Sequence, residues 1–169
     1  MKLYRILFEG GKSSIWYHTT YPENVESILA NGLKINSTVK GKSRASLEWM
    51  PEAYGGIVPI FLSKDSGRYT HGVILSVDVS GLPLVADIPG LVDFGGELTD
   101  HSIYFDEEST PEEFWELVDP DTDESINGEA EFELLREPNA ISAAAIEVTG
   151  TCAVMEDISP ERIKVVGKV

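Results

Sequence analysis

The stretch WYHTTYPENVESILANGL, residues 16–33, confines this chain more than any other. A short strand, Ile15-Trp16-Tyr17, runs into a helix with no spacer. Thr20 and Glu23 have capping-box spacing, Pro22 suits the first turn, and Val25, Ile28 and Leu29 fall on one helical face. Gly32 supplies a left-handed end, beyond which Leu33 is expected to fold back on Ile28 or Leu29. The helix is therefore expected over about residues 21–31. Only one block goes unused by this account, Tyr17-His18-Thr19-Thr20, since a plain strand-to-helix connection needs neither the histidine nor the aromatic beside it.

The rest of the chain is short strands punctuated by turns. With 169 residues, 42% of them hydrophobic, a single domain, 1–169, buries a core without staples. Residues 2–8 alternate as a strand does and stop at Gly10-Gly11. Residues 36–56 are polar and small, with a short helix expected at 47–54. IVPIFLS and VILSVDVSGLPLV, bounded by glycines, are expected as central strands. A densely acidic segment at about 106–129 is expected to be a solvated insertion around a helix TPEEFWELV capped by Thr110. Asp119, Asp121 and Asp123 imitate a calcium loop, but Glu124 stands where its turn needs glycine and Ala130 where it needs glutamate, so no metal is expected. AISAAAIEVTG (140–150) and DISPERIKVVG (157–167) share a frame, and each serine is expected to cap one helical turn entering a strand.

Charge narrows the partners. Twenty-nine acidic against 13 basic residues give −16, a field that opposes phosphate backbones, so nucleic acid is the less expected partner. The one cysteine, Cys152, permits no internal disulfide and is expected as a small buried hydrophobe. No run approaches the ~18 apolar residues of a membrane span, so a soluble, cytoplasmic protein is expected.

A histidine at a strand end beside a helix start offers an imidazole for hydrogen bonding, while the helix start and threonine hydroxyls favour an anion or sugar hydroxyls. The order of motifs along the chain matches that chemistry. WYHTTYPENVESILANGLKI resembles the first motif of the ADP-ribosyltransferases of the His-Tyr-Glu type and related bacterial toxins, through Tyr17-His18-Thr19-Thr20, Asn24, Ile28, Leu29, Gly32 and Leu33. Pro59-Ile60-Phe61-Leu62-Ser63 is similar to the second motif, whose aromatic stacks on nicotinamide. Glu131-Phe132-Glu133-Leu134-Leu135, ahead of Ile141-Ser142, is similar to the third, a glutamate opening a late strand. ISPERI at 158–163 is similar to the turn beyond that motif, and counting back from it the carboxylate position falls near Thr151. Thr19 replaces the family's usual glycine and Phe61 its commoner tyrosine.

The resemblance implies an α+β fold of split, mixed β-sheets with a few short helices, and NAD as a substrate cleaved to nicotinamide with ADP-ribose passed to a protein or small-molecule acceptor. In that reading Glu131 steadies the oxocarbenium-like ribose as charge develops, with Glu129 and Glu133 as neighbours able to take its place. His18 bonds ribose hydroxyls, Tyr17 fixes the carboxamide, and Thr19 and Ser63 line the cofactor. Phe61 covers the nicotinamide face, and Arg44, or Lys40 or Lys42, balances the diphosphate. The acidic segment is expected to flank a cationic acceptor. Two other classes share the fold: a noncatalytic acidic binding module or inhibitor, and an RNA 2′-phosphotransferase, which needs more basic residues than this chain displays.

Overall fold

The computed structural model describes residues 14–37, 47–68, 71–118 and 128–168. The expected strand at 2–8, the cations Lys40, Lys42 and Arg44, and the run Asp119, Asp121, Asp123 lie outside them.

β1 (Ile15–Thr20) passes through a single 3-10 turn, Pro22–Asn24, into α1 (Val25–Asn31). Thr20 does not cap the helix, because its backbone is committed to a ladder with Val73; Tyr21 takes the cap position without a side-chain bond. Gly32 ends α1 at φ +82°, where a Cβ would lie 2.1 Å from the Ile158 carbonyl oxygen. Leu33 consequently does not fold back on its own helix: it pairs with Ile158 through two backbone bonds of 2.9 Å. Val25 and Ile28 still face the core, and Leu29 is exposed.

α2 (Met50–Ala53) falls inside the helix expected at 47–54. It is followed by β2 (Ile60–Ser63), β3 (Val73–Asp78), β4 (Leu84–Ala86) and α3 (Ile88–Asp93), whose cap is the Asp87 carboxylate accepting from the Gly90 N–H. Then come β5 (Glu97–Leu98), β6 (Ser102–Phe105), α4 (Glu112–Val118), β7 (Gly128–Glu131) and α5 (Phe132–Leu135). α6 (Ala140–Thr149), β8 (Thr151–Val154), a 3-10 turn at Pro160–Arg162 and β9 (Ile163–Lys168) close the chain.

The fold is α+β. The large sheet has the order β4-β8-β2-β1-β3-β9 and the small one β5-β6-β7. Every described ladder is antiparallel, where mixed sheets were expected: among the described residues no two paired strands run the same way, as a crossover connection would make them. β2 and β3 are internal strands, whereas Leu84–Ala86 forms the margin of the described sheet and not its centre. One face of the large sheet packs Trp16, Leu62, Leu75 and Val77 with Leu33 and Ile158. The other is covered over β4, β8 and β2 by a second core that includes Tyr54, Phe105, Phe114 and the alanines of α6. The Tyr54 hydroxyl donates to the Ala86 carbonyl and accepts from the Ile88 N–H, both at 2.8 Å, tying α2 to the start of α3. Cys152 is fully buried in β8 as a small hydrophobe, and burial pushes its thiol pKa well up.

Three local expectations are corrected. The acidic segment is not a solvated insertion throughout, since Phe114 of α4 is fully buried against Phe105 and Trp115, at ring distances of 5.4 and 5.0 Å. The Thr110 hydroxyl before it donates to the Asp106 carbonyl. Residues 140–149 form a ten-residue helix, not a strand entry, because Ala143-Ala144-Ala145 is a helix-forming run that also lets α6 pack closely. Its cap is Asn139, whose side chain accepts from the Ser142 N–H, while the buried Ser142 hydroxyl donates to the Leu135 carbonyl at 2.7 Å. Residues 157–167 do enter a strand, without a Ser159 side-chain cap. The stretch from Phe132 is helical, with Phe132 and Leu135 buried three residues apart and Leu134 exposed, so Glu131 ends a strand and does not begin one. No described helix is long and apolar enough to cross a membrane.

Phe114→Ala is expected to cost about 3–5 kcal/mol in urea denaturation, the range for emptying a buried aromatic site, against under ~0.5 kcal/mol for a solvated segment.

Candidate functional site

Adjacent residues of a strand point to opposite faces, and residues paired across strands share one. Tyr17 pairs with Ser63 on β2 and with Ser76 on β3; His18 pairs with Leu75. His18 therefore shares the face of Trp16 and Leu75, while Tyr17, Thr19, Phe61 and Ser63 share the other. The resembling block is one strand presenting two different faces.

His18 is half-buried, and its Nδ1 lies 3.0 Å from the Phe61 carbonyl oxygen. A carbonyl can only accept, so Nδ1 carries the proton and the neutral ring keeps its lone pair on Nε2. Desolvation lowers the imidazole pKa more than that bond raises it. The result is a neutral imidazole pinned to β2, with Nε2 able to accept from a hydroxyl.

The other predicted residues are more committed. Phe61 stands edge-on to the buried Tyr54 at 6.0 Å and 70°, so its ring belongs to the core beneath β2. Ser63 is buried, and its hydroxyl accepts from the Asp65 N–H at 3.0 Å, closing the turn after β2. Thr19 is half-buried opposite Ile74. Arg44 lies outside the described residues.

Glu131 is not brought to this strand pair. It ends β7 on the small sheet and lines a hollow of 330 Å³ with Glu52, His101, Glu129, Glu133 and Arg136, none of them on β1 or β2. Glu129 accepts from the Ser102 hydroxyl, and Glu133 lies 3.8 Å from Arg136. Glu129 and Glu131 are two apart on β7 and so share a face, whereas Glu133 lies on α5. The strand beside β2 is instead β8, in register Ser63 opposite Thr151, and β8 runs on to the ISPERI turn. The fully buried Thr151 hydroxyl has no partner among the described residues.

These registers align one row across five strands: Thr151, Ser63, Tyr17, Ser76 and Lys164, all polar and all on one face. Sequence reasoning found Tyr17 and Ser63 but not Ser76 or Lys164, which look like ordinary outward positions until β3 and β9 are paired. At the outer end of that row, over β1, β3 and β9, lies a groove of 530 Å³ lined by Tyr17, Ser76, Asp78, Arg162 and Lys164 together with Ile15, Ile74 and Val166. No protein-family model, curated protein or solved structure matches this chain.

The His18 environment predicts a pH dependence with a definite sign. Its folded pKa lies below the usual 6.5, so in acid the unfolded chain takes up this proton before the folded one does. The stabilising effect is complete above the unfolded pKa and is lost as pH falls below it. His18→Asn, compared with the parent by urea denaturation between pH 7.5 and pH 5, is expected to lose less stability on acidification; equal losses remove the buried-imidazole assignment.

Proposed function

We propose that this chain is an NAD-binding domain on the ADP-ribosyltransferase plan, and that transfer of ADP-ribose to an acceptor, as the resemblance implies, does not run through Glu131. One observation carries the reading: the three stretches that resemble the family's motifs, when the third is counted back from ISPERI, lie on the neighbouring strands β1, β2 and β8, with His18 bonded across to β2. They are about 40 and 90 residues apart in the chain, and strand pairing brings them side by side. His18 Nε2, free of the Phe61 bond, is the acceptor for a ribose hydroxyl; the Tyr17 and Thr19 side chains, on the opposite face of β1, take no part in that contact. Phe61, held by Tyr54, supports the floor of the site and does not cap the nicotinamide ring.

A second reading has its own observation. Counted back from ISPERI, the carboxylate position of the resembling third motif falls near Thr151, which carries a hydroxyl and pairs with Ser63 of β2. An oxocarbenium-like ribose there lacks the negative charge that would favour it over the ground state. That supports a noncatalytic module that holds the dinucleotide without cleaving it. The acidic hollow around Glu131 then acts by charge, toward a cationic acceptor or protein partner. The RNA 2′-phosphotransferase reading gains little beside His18, because Lys34, Lys64 and Arg136 each face a carboxylate partner and Arg162 and Lys164 line a groove on the opposite face of the sheet.

Millimolar NAD is expected to raise the melting temperature of the parent, as a ligand of the folded state must, and His18→Ala to abolish the shift. No shift in a folded parent ends the proposal. Nicotinamide release decides between the readings: release that survives Glu131→Gln within about twofold supports transfer without Glu131, binding without release supports the noncatalytic module, and a loss of about a hundredfold in Glu131→Gln returns the role to that carboxylate.

A further inference from the structure

The groove over β1, β3 and β9 lies on the face opposite His18 and is not used by the dinucleotide reading. Its 530 Å³ falls in the range of small-molecule sites, roughly 300–1,000 Å³. Its lining mixes apolar side chains with charges of both signs, which restricts what fits.

Arg162 is held in place, donating from one guanidinium nitrogen to the carbonyls of Asp78 and Ser80 at 3.0 and 2.8 Å. Asp78 is kept ionised because the Ser80 hydroxyl and N–H donate to its Oδ1, with smaller help from Arg162 and Lys164; Oδ2 has no partner among the described residues. Lys164 likewise has no carboxylate within ion-pair distance among those residues, unlike Lys34, Lys64 and Arg136. The Ser76 hydroxyl stands beside Lys164 in the cross-strand row, its bond to the Lys164 carbonyl long at 3.5 Å.

A simple anion is opposed here by Asp78 and Glu161 within a chain of charge −16, and a simple cation by Arg162 and Lys164. A neutral sugar leaves the Lys164 ammonium unanswered. A ligand with one anionic end and several hydroxyls answers both Lys164 and Asp78, since a carboxylate accepts from hydroxyls as readily as an ammonium donates to phosphate. The geometry points to a binding site for a sugar phosphate, with its phosphate on Lys164, its hydroxyls on Asp78 Oδ2 and Ser76, and its C–H face on Tyr17 and Ile74.

Calorimetry on the full chain tests this with glucose 6-phosphate, glucose and inorganic phosphate as separate titrants. Glucose 6-phosphate is expected to bind saturably at millimolar concentration or tighter, and glucose and phosphate at least about tenfold more weakly, since each makes only part of the contacts. Lys164→Gln is expected to weaken glucose 6-phosphate by about tenfold or more, the scale of one charge-assisted bond. Asp78→Asn weakens glucose 6-phosphate without weakening phosphate; should that variant melt early, Ser76→Ala replaces it, with a smaller loss in the same direction. His18→Ala leaves glucose 6-phosphate binding unchanged whether or not it abolishes NAD binding, so failure of the dinucleotide reading does not touch this one. Absence of saturable binding, parent-like affinity in Lys164→Gln, glucose binding as tight as its phosphate, or loss of binding in His18→Ala each overturns the assignment.

Discussion

Everything placed on the large sheet depends on one constraint: β1 is paired along its length with β3 and at Tyr17 with β2, so none of its side chains can choose a face. Trp16 sits in the core, and the period of two then sends His18 to Trp16's side and Tyr17 to the other. A slip of one residue would drive Trp16 out of the core and exchange the two. The hydrophobic demand of one tryptophan thereby decides which face receives the imidazole and which receives the phenol.

The same logic organises the ends of the sheet. The Leu33–Ile158 pair joins the end of α1 to the ISPERI turn, and the tightness of that approach is why residue 32 is glycine. Lys34 adds an ion pair to Asp157 at 3.0 Å beside it. Because that turn is anchored, β9 returns against β3 with Lys164 opposite Ser76, and Arg162 reaches the carbonyls after β3. The groove is thus a product of the anchor, and its polar lining comes from three strands that are remote in sequence.

Local signals were legible where chain neighbours decide the outcome. The strand at Ile15–Thr20, the helix ending at Asn31 and the strand at Ile60–Ser63 follow from alternation, spacing and a terminal glycine. They failed where a partner elsewhere competes. Thr20 has capping chemistry but spends its backbone on Val73; Leu33 prefers Ile158 to its own helix; Phe132-Glu133-Leu134-Leu135 alternates like a strand but buries residues three apart. Phe114 was hidden among carboxylates, and only the apposition of α4 to the small sheet supplies the aromatic partners that draw it in.

By itself the sequence determined the strands at Ile15–Thr20 and Ile60–Ser63, the helix that ends at Asn31, the excess of negative charge, and the presence of a histidine beside a helix start, because these rest on covalent order and nearest-neighbour preference. Only the tertiary structure decided that His18 is a neutral imidazole bonded to Phe61, that Glu131 belongs to the other sheet, and that Thr151 takes the strand position next to β2. Nor does any local rule bring Lys164 level with Tyr17. The physical reason is the same in each case: strand pairing joins residues far apart in the chain, and its register is set by the total burial of the sheet, which no short stretch of sequence contains.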